Sequence, residues 1–122
     1  MTWLLVGVGG ALGSMARYGT TVLTTRFFGS PLPYATAIVN IVGCAVVGAL
    51  AGAAAGAQIR FSPEARAFLF VGILGGFTTF SAFGLDTVML VHDGRAGQAL
   101  LNVALQLGLG LGATFVGYTL AK

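Results

Sequence analysis

The chain has 122 residues, of which 57% are hydrophobic and only 7% charged, with a net charge of +3. A water-soluble domain of this size exposes far more charge, and the residues left outside membrane spans are too few to form a soluble catalytic unit. The cations are too few and scattered for nucleic acid, and the single cysteine, Cys44, excludes a disulfide within the chain.

The class is therefore all-α integral membrane. A hydrocarbon core about 30 Å thick takes roughly 20 apolar residues per helix, so four transmembrane helices fit, with almost no domain outside. We expect a single domain over 1–122, with helices at about 2–25, 34–57, 63–92 (broken near 75–79) and 94–121.

The first helix, about Thr2 to Thr25, opens on Met-Thr-Trp without the basic region of a signal peptide, so it is expected to be retained. Gly9-Gly10-Ala11-Leu12-Gly13 gives it a small-residue face suited to close helix packing. Arg17 and Tyr18 lie toward its far end, where Arg17 either snorkels to the interface or lines a watery vestibule. Arg26 to Pro33 reads as a connecting loop, because Gly29-Ser30-Pro31-Leu32-Pro33 cannot continue a helix.

The second helix, about Tyr34 to Ala57, carries Gly48, Gly52 and Gly56 on one face. Thr36, Asn40 and Cys44 recur every four residues on another. An amide at membrane depth needs partners, so Asn40 is either interhelical glue or a pore residue.

Gln58 to Glu64 is polar, and Ser62-Pro63-Glu64 supplies a cap, a first-turn proline and an acid for the third helix. This helix runs to about His92. Within it, Gly72-Ile-Leu-Gly-Gly-Phe-Thr-Thr-Phe-Ser-Ala-Phe-Gly-Leu-Asp-Thr87 contains what a continuous helix avoids: paired glycines and paired β-branched threonines. The expected break has one half-helix ending near Gly75 and the next starting between Thr79 and Ser81. Unwound backbone at membrane depth must be buried in protein or face a polar cavity, so the break is the candidate functional centre. The fourth helix carries Asn102 and Gln106 on one face, with Gly108 and Gly112 expected to serve packing. So many close-packing faces predict an oligomer.

If the helices alternate direction, Arg60, Arg66 and Lys122 lie on one side of the membrane and Arg17, Arg26 and Arg95 on the other. This balance gives no preferred orientation under the positive-inside rule. Either another signal sets topology, or copies insert both ways and pair antiparallel.

Chemistry is sparse. His92 stands alone, no cluster has metal-ligand spacing, and no base is spaced to activate a serine or threonine. Asp86 is the one acid at membrane depth. At the break, the carbonyl end of the first half-helix suits a cation, and the N–H end of the second suits an anion. Phe80 and Phe83 share a face there. Their electropositive ring edges either line a path for a small anion or simply pack against lipid and neighbouring helices.

Gly75-Gly76-Phe77-Thr78-Thr79-Phe80-Ser81-Ala82-Phe83 resembles the signature of the Fluc (CrcB-type) fluoride channels, Gly-Gly-x-Thr-Thr-Phe-Ser-Thr/Ser-Phe. The likeness extends to Gly-Gly-x-x-Gly-x-x-x-Arg-Tyr at Gly9 to Tyr18 and Thr-x-x-x-Asn-x-x-Gly at Thr36 to Gly43. It implies a non-enzymatic, dual-topology antiparallel homodimer in the lipid of the bacterial inner membrane, passively exporting fluoride. It further implies a fluoride pathway at Phe80, Phe83, Asn40, Ser81, Thr79, Asn102, Gln106 and Arg17. A structural sodium ion would be held at the dimer interface by backbone carbonyls of Gly75 and Thr78. The chain departs from the pattern at Ala82, where a hydroxyl is usual. It departs also at Gln106, bulkier than the familiar serine, and at Asp86, where glutamate is more common. A proton-coupled exporter of the four-helix dual-topology type is the competing reading. It would need a carboxylate at the substrate site, and Asp86 is the sole intramembrane acid.

Overall fold

A computed structural model describes residues 1–30 and 33–122, and among these the chain is helical with no strand. We number the helices α1 (Thr2–Phe28), α2 (Tyr34–Ala55), α3 (residues 63–77), α4 (Phe80–His92) and α5 (Ala96–Ala121). The expected loop over Arg26–Pro33 falls partly on residues 31 and 32, outside the described residues. Arg26, Phe27 and Phe28 are helical. The turn comes at Gly29, which takes a left-handed φ of 74° and donates its N–H to Thr25 O at 2.9 Å. At the other end of α2, Ala57 adopts φ 59°, which stops the helix two residues short of the expected end. Ser62 caps α3 by accepting from Ala65 N–H, with Pro63 at the first helical position.

Among the described residues, three helices are long and apolar enough to cross a membrane: Tyr34–Ala55, the broken Pro63–His92 and Ala96–Ala121. The 27-residue α1 is not among them. Arg17, Arg26 and the threonines of its second half make it less apolar. Those threonines turn their hydroxyls inward: Thr20, Thr21, Thr24 and Thr25 each donate to the carbonyl four residues back.

Two parallel helix pairs make the frame. In the first, α1 lies along α3 at backbone contact. A Cβ on Gly9 would stand 2.7 Å from Phe68 O, one on Gly76 would stand 2.6 Å from Gly10 O, and one on Gly13 would collide with Ile73 O. In the second, α2 lies along α5, where Gly48 faces Thr114 O and Gly52 faces Tyr118 O. A Cβ on Gly117 would come within 2.7 Å of Ala45 O. Small residues let such helices approach until dispersion acts over the whole seam. Gly108 and Gly112, expected to serve packing, have nothing within 4 Å of a built Cβ. The face of α5 toward α2 is the one carrying Gln106, Gly110 and Thr114, each four residues from the next.

Between Ala67 and Leu74, α3 widens into a π-helix, and Gly75 N–H reaches back five residues to Phe70 O. The wide stretch runs straight into the break.

Candidate functional site

The break occupies Thr78 and Thr79, both with extended backbone (φ −82°, ψ 158° and φ −155°, ψ 121°). Gly75 and Gly76, expected to form part of it, are still helical. Their lack of a side chain serves space instead: Gly76 admits the α1 backbone and Gly75 opens onto a cleft. The threonines make the interruption. Thr78 caps the end of α3, sending both its N–H (3.0 Å) and its hydroxyl (2.9 Å) to Leu74 O. Thr79 starts α4 as its N-cap, accepting from Ala82 N–H at 3.2 Å and lying 3.2 Å from the Ser81 hydroxyl.

Asn40 splints the gap. Its Oδ1 accepts from Thr79 N–H at 2.8 Å and its Nδ2 donates to Thr79 O at 2.9 Å, so one amide engages both polar groups of one unwound residue. From there a row of side chains crosses the helices. Asn40 Nδ2 donates to Gln106 Oε1 (2.8 Å), Gln106 Nε2 to Asn102 Oδ1 (2.8 Å), and Asn102 Nδ2 to the Thr87 hydroxyl (3.1 Å). Thr87 closes the row by donating to Phe83 O at 2.8 Å. In parallel, Thr36 donates to Asp86 Oδ2 at 2.7 Å. Neighbouring α4 residues are thus tied to different helices, Asp86 to α2 and Thr87 to α5. Gly43 makes room for this arrangement, since a Cβ there would collide with Thr78 Cγ2.

The splint redirects backbone groups. In an unbroken helix Thr79 N–H would bond Gly75 O, and Ala82 N–H would bond Thr78 O. The first goes to Asn40 and the second to the Thr79 hydroxyl. The carbonyls of Gly75 and Thr78 are thereby released from their helical donors. An open cleft of about 380 Å³ adjoins the break and is lined by Asn40, Gly75, Thr78, Phe80, Phe83 and Gln106 among others. The Phe80 and Phe83 rings sit side by side, centroids 5.6 Å apart and planes inclined at 45°, with Phe80 80% exposed.

Residues 4–118 match the family described as CrcB-like protein, Camphor Resistance (CrcB). The chain belongs to this family. Among curated relatives it is 46% identical over 120 residues to a protein of Rhodospirillum centenum, covering 98% of this chain and 94% of the relative. It is 43% identical over 122 residues to one of Methylobacillus flagellatus (98% and 93%), and 44% identical over 123 residues to one of Thermus thermophilus (97% and 93%). Each of the three is named "Fluoride-specific ion channel FluC".

Against this CrcB-family background, the residues expected to matter fall into two groups. Asn40, Thr79, Phe80, Phe83 and Gln106 converge on the cleft, together with Gly75 and Thr78. The other three lie apart from its lining. Asn102 is buried behind Gln106, and Ser81 is exposed beside the Thr79 cap. Arg17 stands half-buried on α1, one turn beyond the Gly13 contact with α3. The carbonyls of Gly75 and Thr78, released from their helical donors, are oxygen donors of the kind a hard cation such as sodium takes. Among the described residues, no group of three or more His, Cys, Asp or Glu could hold a metal.

Asp86, the one acid expected at membrane depth, is paired with Thr36 outside the cleft lining, and Thr87 is a site neighbour that sequence reasoning missed. Thr87 sits in an apolar run where a threonine commonly bonds its own helix, and it does so here. Its second role depends on Asn102 meeting it from another helix, which no local spacing reveals.

Proposed function

We propose that this chain is a fluoride-selective channel that lets fluoride leave passively across the bacterial inner membrane and so lowers its cytoplasmic toxicity. The observation that carries the reading is the splinted break: an anion-attracting helix start, at Thr79 and Phe80, opening on a cleft beside two phenylalanine rings. The names of the relatives supply the ion. A small anion would move along ring edges and polar donors, with no lysine or arginine side chain in the cleft lining to trap it. Phe80, Phe83, Asn40, Thr79 and Gln106 would meet it there, with Ser81 and Asn102 behind them and Arg17 toward the vestibule. No bond is made or broken in the transported ion, so the activity is not enzymatic.

In this reading all four helical segments span the bilayer. Support for counting α1 comes from its parallel packing along α3 and from the threonine hydroxyls satisfied within it. The protein works as an antiparallel homodimer of copies inserted both ways, consistent with the even split of cations between the two sides. The second copy covers the open cleft. Gly75 and Thr78 carbonyls from both copies hold a sodium ion, which supplies fixed positive charge and ties the copies together.

Fluoride efflux from liposomes carrying the purified protein, with chloride as control and no proton gradient, tests the reading. Rapid release of fluoride with chloride retained is expected. Flux that requires a proton gradient would instead indicate a coupled exporter, although Asp86, its only candidate carboxylate, is bonded to Thr36 and lies outside the cleft lining. A tag at the C-terminus should be detected on both faces of the membrane, and detection on one face alone would rule out dual insertion.

A further inference from the structure

A fixed charge stands just outside the lining of the cleft. From the break, the cleft runs toward the end of the molecule where α2 and α5 finish and α3 begins, with Val47, Leu111 and Phe70 at its outer end. Arg66, one turn before Phe70 in α3, lays its guanidinium over the Phe70 ring, Cζ 5.4 Å from the centroid. Phe61, from the loop ahead of α3, meets the same ring in a T-shaped contact, centroids 5.8 Å apart and planes at 83°. The ring is thus held by a cation and a second ring while it also lines the cleft.

Arg66 is exposed and has no acid within ion-pair distance among the described residues. Glu64 is two residues away and does not face it across the helix surface. Two further cations mark this end of the molecule. Arg60 is in the loop, and Lys122 closes against the end of α2, where a Cβ on Gly56 would stand 2.5 Å from Lys122 C. Among the described residues, only Arg66 lays its charge on a side chain of the lining. That placement suits capture rather than retention. A cation among the lining side chains would hold a small anion by direct contact. One behind a ring raises the anion's concentration in a low-dielectric cleft and leaves the path beyond it free of ion pairs. The guanidinium also draws ring electrons toward itself, which makes the Phe70 edge a better contact for an anion.

We propose that Arg66, clamped over Phe70, is the capture residue for a small monovalent anion at the outer end of the cleft. The proposal rests on the channel reading above and adds a step to it, the recruitment that precedes passage along Phe80 and Phe83. The charge acts through space, and Phe70 fixes where it acts. With copies inserted both ways, each membrane face presents one Arg66, so capture serves flux in either direction.

The test is fluoride efflux from phosphatidylcholine liposomes carrying the full-length protein, at fluoride well below saturation. An impermeant salt sets the ionic strength at about 0.01 M or about 1 M, where the screening length is roughly 30 Å or 3 Å. Wild type should release fluoride faster at low salt. Arg66→Gln should be slowed about 10-fold at low salt and match wild type at high salt, with the rate at saturating fluoride unchanged. Arg66→Lys should keep most of the wild-type rate, and Arg60→Gln, which removes the same charge from the same end, should have a much smaller effect. Equal slowing by Arg60→Gln and Arg66→Gln would reduce the effect to general surface potential and overturn the proposal. So would an Arg66→Gln protein that matches wild type at low salt, or one slowed equally at both salts. A difference seen only in liposomes containing phosphatidylglycerol would assign Arg66 to lipid phosphate and overturn it as well. A wild-type rate indifferent to salt would do so without any variant. Wild type that releases no fluoride at either salt would overturn the channel reading, and the proposal with it.

Discussion

Before Thr78 the broken helix is pressed onto α1 through glycines; after Thr79 it is tied to α2 and α5 through amides and hydroxyls. The first half meets backbone with backbone, and there a single added methyl must displace a main-chain atom. The second half is held by side chains at hydrogen-bond distance, each of which can be shortened, lengthened or exchanged. The difference teaches where this fold can vary. The α1–α3 seam fixes the depth of the break, while the amide row decides which polar groups face the cleft. Chemistry can therefore be retuned on the α2–α4–α5 side without disturbing the frame.

The largest effect should come from crowding the rigid half. Gly13→Val places its Cβ against Ile73 O, and we expect a loss of about 3 kcal/mol or failure to fold, read as thermal unfolding in detergent micelles. A variant as stable as wild type would mean that the α1–α3 seam yields easily, and the contrast between the halves would collapse. Next is Asn40→Ala, which leaves Thr79 N–H, Thr79 O and Gln106 Oε1 without their partner. Here we expect a loss of about 2 kcal/mol together with faster hydrogen exchange at the Thr79 amide. Unchanged exchange at that amide would show that the splint is dispensable. The smallest effect belongs to a glycine with open space around it. Gly97→Ala, in the first turn of α5, meets nothing within 4 Å and should be neutral or stabilising by up to about 1 kcal/mol. A clear loss there would mean that glycine content, rather than glycine placement, governs stability.

Much of the frame was legible in the residues. Runs of apolar positions and the Ser62-Pro63-Glu64 start located helices, and the glycine pairs pointed to close seams. Their allocation was harder to read. Gly108 and Gly112 have the spacing of a packing face, yet α5 turns Gly110 and Gly117 toward α2, because the register that joins Asn40 to Gln106 selects that face. The break was legible from Gly75 to Thr79 as a whole, but glycine and threonine both disfavour helix, and propensity alone does not say which of them yields. Tertiary contact decides it: α1 needs Gly76 helical, and Asn40 takes the Thr79 peptide. The π-helix over Ala67–Leu74 had no sequence signal that we can identify. As for the site, types and spacing left Asn40, Phe80 and Phe83 open between packing and pathway, and only the motif resemblance named them as a path together with Gln106. That Gln106 bridges Asn40 to Asn102 depends on three residues from two helices meeting, and so becomes visible only in the fold.

The central claim is that the break and its paired rings form the anion path. It is tested most directly by fluoride efflux from liposomes carrying the Phe80→Ile, Phe83→Ile double variant, beside wild type reconstituted at equal density. The account predicts rapid fluoride release by wild type and none above protein-free liposomes for the double variant, with both proteins eluting alike as folded species. Fluoride release by the folded double variant at the wild-type rate would contradict it.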